Sequence, residues 1–294
     1  MSDTLESLKR KINGATDLES VVRTMKVLAA SNIIQYEKAV ISLAEYYRTV
    51  ELGLYVCFQK AGVINFTDKK YSDHRAIGAI VFGSDQGLVG QFNDVLSAYV
   101  SNFLANLQGP KRIWAVGERI QSLLEDDKLS ISGLFSVPNS VNTITPVIGQ
   151  ILLDCESERE NGEISQLYIF HNKPKPGALY EPTVQRLLPL DETWYQSVTQ
   201  INWPTNYIPE PINGIAPTLH GIIRQYLFIS LFRACAESLA SENASRLAAM
   251  QRAEKNIDEL LEDLNRSFHR LRQATIDEEL FDVISGSEAL LAKK

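Results

Sequence analysis

Cysteine is scarce in this chain of 294 residues, and its distribution excludes the common uses of thiols. Only Cys57, Cys155 and Cys235 are present, and no C-x-x-C pair occurs. This pattern predicts a reducing compartment and unlinked thiols that behave as small buried hydrophobic side chains. The four histidines show none of the spacings by which proteins hold zinc, so the sequence predicts no metal site.

Clustered positive charge and long apolar runs are also lacking. The net charge is −7 and no basic run stands out, which argues against a nucleic-acid partner because phosphate affinity requires clustered Lys and Arg. The most apolar stretch, Gly221 to Phe232, is short and interrupted by Arg224, so it cannot span a bilayer. The start, MSDTLESLKRKINGA, has no apolar signal segment, and we expect the chain to be made and to remain in the cytoplasm.

Proline is absent from the first stretch of about 55 residues, which as a helix would extend roughly 80 Å. From Ala29 onward its apolar residues recur with the spacing of a coiled-coil seam. The two heptad positions are Ala29, Tyr36, Leu43 and Val50, and then Ile33, Val40, Tyr47 and Leu54. TDLE at residues 16–19, just after Gly14, is either a capping box that restarts the helix or an irregularity within one long helix.

Proline is also absent after Pro217, and a second helix of about 70 residues would extend roughly 105 Å. One heptad position is Met250, Ile257, Leu264 and Leu271. The alternate position is Leu247, Leu261, Phe268 and Thr275, and Glu254 interrupts it once. Two helices of this length, separated by a compact domain, are predicted to pair as an antiparallel coiled coil that projects from that domain.

The middle of the chain, residues 75–190, changes period. Buried-strand runs such as RAIGAIVFGS and RIWAVG alternate with helical patterns, and EPTVQRLLPL is typical of a final edge strand. This alternation predicts a central Rossmann-like α/β domain with a mainly parallel sheet. Residues 191–217 are rich in proline and are predicted to be an extended connector without a packed element. The predicted fold class is therefore α/β with long helices: segments 1–60 and 218–294 form the antiparallel two-helix coiled coil, beside the central domain.

Two short segments are candidates for chemistry. The turn GSDQGLVGQFN, residues 83–93, lacks both the G-x-G-x-x-G pattern and the Lys-Ser/Thr of phosphate loops, which favours a tight strand-to-helix turn over a nucleotide site. In RQATIDEEL, the contiguous carboxylates of residues 277–279 point to different helix faces and do not converge as an acid–base pair. The following LFDVISGSEALL is apolar again, and an apolar end on a projecting helix predicts a partner that covers it.

Three blocks of the chain resemble the gamma subunit of the F-type ATP synthases, the central rotor shaft, and identify a divergent bacterial member. LKRKINGATDLESVVRTMKVLAAS resembles the family's first helix, although Asn32, Ile33 and Ile34 then stand where the family usually carries Lys or Arg. The turn resembles the family's S-D-r-G-L-C-G-x-x-N segment at Ser84, Asp85, Gly87, Leu88, Gly90 and Asn93. The last helix matches almost continuously, including the R-Q-a-x-I-x-x-E-l element at Arg272, Gln273, Ile276, Glu279 and Leu280.

The resemblance implies a non-catalytic subunit without a cofactor, which couples ion flow through a membrane sector to ATP synthesis or hydrolysis by rotation. Its coiled coil would sit inside a hexamer of alternating alpha and beta subunits. Its α/β domain would lie beside the epsilon subunit and on the c-ring, at the cytoplasmic face of a bacterial cell membrane. The beta-subunit contacts carried over are Met25, Lys26, Arg272, Gln273 and Glu279. The tip carried over as a bearing is Phe281, Val283, Ile284 and Leu290.

Two readings from other classes stay open at the level of sequence. One is a nucleotide- or ligand-binding α/β enzyme with a helical oligomerisation arm and a site near residues 83–90; the missing phosphate fingerprint argues against it. The other is a coiled-coil scaffold, which shares the long helices but predicts no α/β domain in the middle of the chain.

Overall fold

The computed structural model describes residues 4–61, 75–176, 178–190, 192–212 and 214–291. Its helices are α1 Leu5–Ala61, α2 Phe92–Ala105, α3 Glu118–Asp126, α4 Val141–Glu160, α5 Glu192–Thr199 and α6 Ile215–Leu291. Its strands are β1 Ala76–Phe82, β2 Lys111–Val116, β3 Ile131–Phe135, β4 Ile164–Lys175 and β5 Ala178–Leu188. The chain divides into two compact units, which we call the coiled-coil unit (Met1–Leu28 with Leu247–Lys294) and the sheet unit (Ala29–Arg246).

The sheet unit is built on five strands in the order β3-β2-β1-β4-β5. β1 pairs in parallel with β2 and β4, β2 pairs in parallel with β3, and β5 runs antiparallel to β4 at the edge. β1 is buried along its whole length because strands flank it and apolar side chains cover both of its faces. This arrangement, with long terminal helices, confirms the predicted fold class.

The two faces of β1 carry separate apolar cores, as the two-residue period of a strand requires. Ile77, Ala79 and Val81 belong to the core beneath α2 and α3. Ile80 and Phe82 belong to the opposite core, to which α4 and both long helices contribute. The long helices are therefore part of the sheet unit's core and are not appended to its surface.

α1 and α6 run antiparallel in the sheet unit. Asn32 hydrogen-bonds Asn243 at 3.3 Å, and Tyr46 hydrogen-bonds Gln225 at 2.8 Å. Residue numbers thus rise along α1 as they fall along α6. α6 begins at Ile215 and not after Pro217, because a proline is tolerated in the first turn, where its missing N–H has no intrahelical partner.

α1 is continuous through Gly14, which decides between the two interpretations of TDLE. The Thr16 hydroxyl donates to the carbonyl of Ile12 at 3.0 Å and so does not cap a new helix. In the coiled-coil unit, the buried residues of α1 are Leu8, Ala15 and Val22, seven apart. Val22 packs with Met250 and Ile257 of α6. The heptad seam of α1 therefore starts well before Ala29, although the sequence pattern predicts it only from Ala29 onward.

The proline-rich stretch contains a packed helix, so the prediction of a connector without one is wrong. α5 contributes Val198 to the buried core, and its Trp194 and Tyr195 rings lie against Phe58, with centroids 5.7 and 4.9 Å apart. Trp194 also packs edge-on against Tyr226 at 5.1 Å. Burial of these aromatic side chains stabilises the short helix α5. The density of proline around it in the sequence instead predicts an extended connector.

Gly14 offers a direct test of helix continuity. An added Cβ there meets nothing within 4 Å, so we expect Gly14→Ala to raise the free energy of unfolding by roughly 0.5–1 kcal/mol through reduced chain entropy. Chemical denaturation followed by circular dichroism measures the change. Gly53→Ala in the same helix is the matched control, because its Cβ would lie 3.0 Å from Ile222 Cδ1 and the gain should shrink or reverse. Equal gains at both positions would contradict the packing described here.

Candidate functional site

The turn after β1, residues 83–93, is held by hydrogen bonds among its own side chains. The Ser84 N–H donates to Asn93 Oδ1 at 3.0 Å, and Asn93 Nδ2 donates to Ser84 Oγ at 2.8 Å. The Ser84 hydroxyl then donates to the Gln86 carbonyl at 2.8 Å. Ser84 and Asn93 are both buried, so two of the predicted turn residues serve to close the turn.

Asp85 links this turn to two neighbouring loops. Its carboxylate accepts the Glu118 N–H at 3.2 Å, in the first turn of α3, and the Val137 N–H at 3.1 Å, after β3. A carboxylate at a helix N-terminus accepts a hydrogen bond from an otherwise unpaired backbone N–H and interacts favourably with the helix dipole. Asp85 therefore joins the segments that follow three adjacent strands, which is a structural role.

The two glycines named by the sequence differ in what they do. Gly90 has a φ of 58°, in the left-handed region that favours glycine. Gly87 has neither a positive φ nor any neighbour within 4 Å of an added Cβ. Leu88, between them, also takes a left-handed φ of 62° and is exposed. The turn is thus shaped by close packing and not as an open cradle for a phosphate.

Helix α6 occupies the crevice at the carboxyl ends of β1 and β4, where doubly wound sheets bind their ligands. The Ser238 hydroxyl donates to the Phe82 carbonyl at 2.9 Å, and the Ser245 hydroxyl donates to the Val89 carbonyl. Glu237 meets His171 of β4 at 2.9 Å. Because the chain's own helix packs against these strand ends, it fills much of the space in which a nucleotide-binding enzyme of this fold would hold its ligand.

Met25 and Lys26, two of the predicted beta-subunit contacts, face α6. Met25 packs beside Val22 and Met250, and Lys26 Nζ donates to Glu254. The hydrogen bond from Lys26 and the nearby Arg23 guanidinium, 3.6 Å away, hold the pKa of Glu254 below its ordinary value. Glu254, which interrupts the heptad, is therefore the partner of cations on the other helix. Its stabilising contribution is present above the ordinary pKa of a glutamate and is lost as pH falls through the lowered one.

A charge exchange tests this pairing. Lys26→Glu and Glu254→Lys should each lower the free energy of unfolding, because each places like charges opposite one another. The double variant restores the pair and should be more stable than the sum of the single changes predicts. Denaturant unfolding of the four proteins measures this coupling. Lys255→Glu is the control, since Lys255 is exposed and pairs only with Glu259 of its own helix in the described structure. Strict additivity of the two changes would overturn the pairing.

The remaining predicted partner contacts are open to solvent. Arg272, Gln273 and Glu279 are exposed on α6, and Gln273 Nε2 donates to Asp277 Oδ1 at 3.2 Å. At the predicted bearing tip, Phe281 and Val283 are 67% and 71% exposed, and Ile284 is 46% exposed. The side chain of Leu290 lies outside the described residues.

Two exposed apolar surfaces were missed by sequence reasoning. The first, on α1 in the coiled-coil unit, consists of Leu18, Val21, Val27 and Leu28. The second, in the loop before α6, consists of Tyr207, Ile208 and Ile212. The signal for the second was available, because large apolar residues are unusual in a proline-rich connector.

Two further observations concern membrane-spanning helices and metal-binding clusters. Among the described residues, no helix combines the length and the hydropathy needed to cross a bilayer. Across the same part of the chain, no group of three or more His, Cys, Asp or Glu side chains is arranged to hold a metal ion.

Comparison with known proteins gives one consistent result. A family model described as ATP synthase matches residues 4–290. The ATP synthase gamma chain of Desulfitobacterium hafniense is 26% identical over 283 residues, covering 96% of this chain and 98% of that one. The gamma chain of Glaesserella parasuis is 26% identical over 295 residues, covering 97% and 99%.

Solved structures show the same fold. A chain of the Euglena gracilis mitochondrial ATP synthase, OSCP/F1/c-ring in rotational state 3, superposes with a TM-score of 0.65 and 14% identity. The alignment covers 99% of this chain and 95% of that one. A chain of the central stalk and c-ring of the Tetrahymena thermophila enzyme gives a TM-score of 0.53 at 21% identity, covering 79% and 99%.

Proposed function

Because this chain belongs to the ATP synthase gamma-chain family, we propose that it is the central-stalk rotor subunit of a rotary ATP synthase. In this role it couples ion flow through the membrane sector to ATP synthesis or hydrolysis on an alpha/beta hexamer, and it carries no catalytic residue itself. The observation that carries the proposal is the continuous 77-residue α6. This helix contributes to the core of the sheet unit at one end and exposes an apolar surface near the other.

The proposed partners follow from the two units. The coiled-coil unit would lie inside the hexamer, with Met25, Lys26, Arg272, Gln273 and Glu279 near beta subunits. The sheet unit would meet the epsilon subunit and the c-ring at the cytoplasmic face of a bacterial membrane. The solved structures of similar fold belong to assemblies of F1, the central stalk and the c-ring, which supports the hexamer and the c-ring as partners.

Physically, the shaft acts as a ligand that binds different beta conformations unequally. Such a ligand shifts the equilibrium between two beta-subunit conformations only by the difference in its affinity for them. A shaft whose faces differ therefore favours a different conformation in each of three beta subunits, and it sets the three catalytic sites out of phase as it turns. Contacts that form and break on each turn must be exposed and individually weak, as surface ion pairs are. The exposed apolar residues Val27, Leu28 and Phe281 suit such a surface, because dispersion contacts are undirected and do not favour one angle.

Co-purification tests the proposal. The tagged chain, expressed from its native host, should bring down alpha- and beta-type subunits with ATPase activity, and the isolated chain should bind no nucleotide tightly. The alternative enzyme reading predicts the reverse: tight nucleotide binding by the isolated chain and no ATPase subunits. That result would overturn the rotor assignment.

A further inference from the structure

Glu237 of α6 lies at a buried junction with strand β4 in the sheet unit. His171 Nε2, on β4, is 2.9 Å from Glu237 Oε2, and Arg233 Nε donates to Oε1 at 2.9 Å. The side chains of His171 and Glu237 are only 5% and 8% exposed. Both carboxylate oxygens are therefore engaged, one by a strand of the sheet and one by the helix itself. We call Glu237, His171 and Arg233 the Glu237 node.

At Glu237, burial alone would raise the pKa, but the hydrogen bonds from His171 and Arg233 outweigh it and hold that pKa below its ordinary value. An ionised carboxylate only accepts hydrogen bonds, so the proton of the His171 contact is on Nε2.

Most other contacts in this core are apolar side chains from α1, α6 and the sheet. Individual dispersion contacts are weak and have no preferred direction, so this core resists displacement through the interdigitation of many side chains. A buried, charge-assisted hydrogen bond is directional, and breaking it leaves a charge without a partner. The Glu237 node therefore adds a directional resistance to displacement of α6 relative to β4.

We propose that the Glu237 node is a junction through which turning of the sheet is passed to α6, with His171 as its positioning residue. This inference rests on the proposed function, because only a turning shaft carries such a load. Ser238, adjacent to Glu237 and bonded to the Phe82 carbonyl, adds a second directional contact at the same strand end.

The test uses the assembled complex in membrane vesicles, with ATP hydrolysis and ATP-driven ion pumping measured on the same sample. His171→Ala should retain most of the hydrolysis and lose much of the pumping, because α6 is then held less firmly against β4 under load. His171→Gln should restore pumping, since its amide N–H can donate to Glu237 in place of the imidazole. Arg224→Ala is the matched control. It breaks the Arg224–Glu156 pair at 3.2 Å between α6 and α4, which is exposed, and should leave pumping unchanged.

If His171→Ala prevents folding, Arg233→Gln replaces it, because Arg233 is 45% exposed and its loss leaves the apolar core intact. Pumping that is unaffected by whichever variant assembles overturns the inference. An equal loss in His171→Ala and His171→Gln also overturns it, because the donor is then irrelevant. A wild-type chain that supports no pumping in an otherwise complete complex overturns the proposed function instead, so the two failures are distinguishable.

Discussion

Replacing Gly117 by Ala is expected to unfold the sheet unit, lowering its free energy of unfolding by roughly 3 kcal/mol or more. Gly117, the residue after β2, has a φ of 118°, a conformation that L-residues rarely adopt. An added Cβ would lie 2.5 Å from the Ser84 carbonyl oxygen and 2.6 Å from its carbon. Ser84 cannot move away, because Asn93 holds its N–H and its hydroxyl, and the Arg119 N–H donates to its carbonyl at 3.0 Å. The backbone strain at this φ and the collision of the Cβ with Ser84 therefore both destabilise the variant.

Gly87→Ala is the matched control for this substitution. It makes the same chemical change in the turn that Gly117 packs against, but an added Cβ there meets nothing within 4 Å. Urea unfolding of the isolated chain, followed by circular dichroism, compares the two variants. We expect Gly87→Ala to stay near wild type. A Gly117→Ala protein with unchanged stability would mean that β2 and the turn do not approach each other as described.

The elements of the sheet unit could be predicted because two periods in the sequence differ clearly. Runs such as AIVF are apolar at successive positions, as a strand buried on both faces requires, whereas Leu96, Val100 and Leu104 recur every four residues on one side of α2. α5 could not be predicted in this way. Its formation depends on Trp194 and Tyr195 meeting Phe58, which is more than 130 residues away in sequence, and no local pattern contains that contact.

The seam of α1 was predicted only from Ala29 because the earlier heptad positions carry weak signals. Ala15 is small, and Leu8 and Val22 lie among charged and polar neighbours, so the apolar stripe is narrow there. The interruption at Glu254 was visible in the sequence, but its cause was not. Lys26 lies 228 residues earlier, and only the antiparallel pairing of the helices brings the two side chains together.

The motif after β1 shows why a sequence pattern leaves a role undecided. Ser84, Asp85 and Asn93 are the residue types of a polar site at a strand end, and the resemblance to a known family selects the same positions. In the structure, Ser84 and Asp85 bond backbone groups of Gln86, Glu118 and Val137, and Asn93 bonds Ser84. The occupation of the neighbouring crevice by α6 is equally invisible in sequence, because it joins Ser238 to Phe82, 156 residues apart.

The double variant Arg272→Ala with Gln273→Ala is expected to leave the isolated chain folded and to lower coupled ATP turnover of the assembled complex. Both side chains are exposed, and their described contacts lie within α6, so no core is disturbed. If each makes one contact with a beta subunit worth up to ~1 kcal/mol in a single rotary state, losing both removes ~2 kcal/mol. That difference corresponds to up to about thirty-fold in the equilibrium between states, and turnover should fall by an amount within that range.

Arg270→Ala is the matched control for the double variant, because it removes an exposed arginine that lies about 200° around the helix from Arg272. Turnover is measured as ATP synthesis driven by an imposed ion gradient, and folding as the circular dichroism of the isolated chain. A selective loss in the double variant supports contact between this face of α6 and a beta subunit, because each variant removes one surface arginine and loss of charge alone would lower turnover in both. Unchanged turnover would remove Arg272 and Gln273 from the partner surface and leave Glu279 and the apolar tip as candidates on this part of α6.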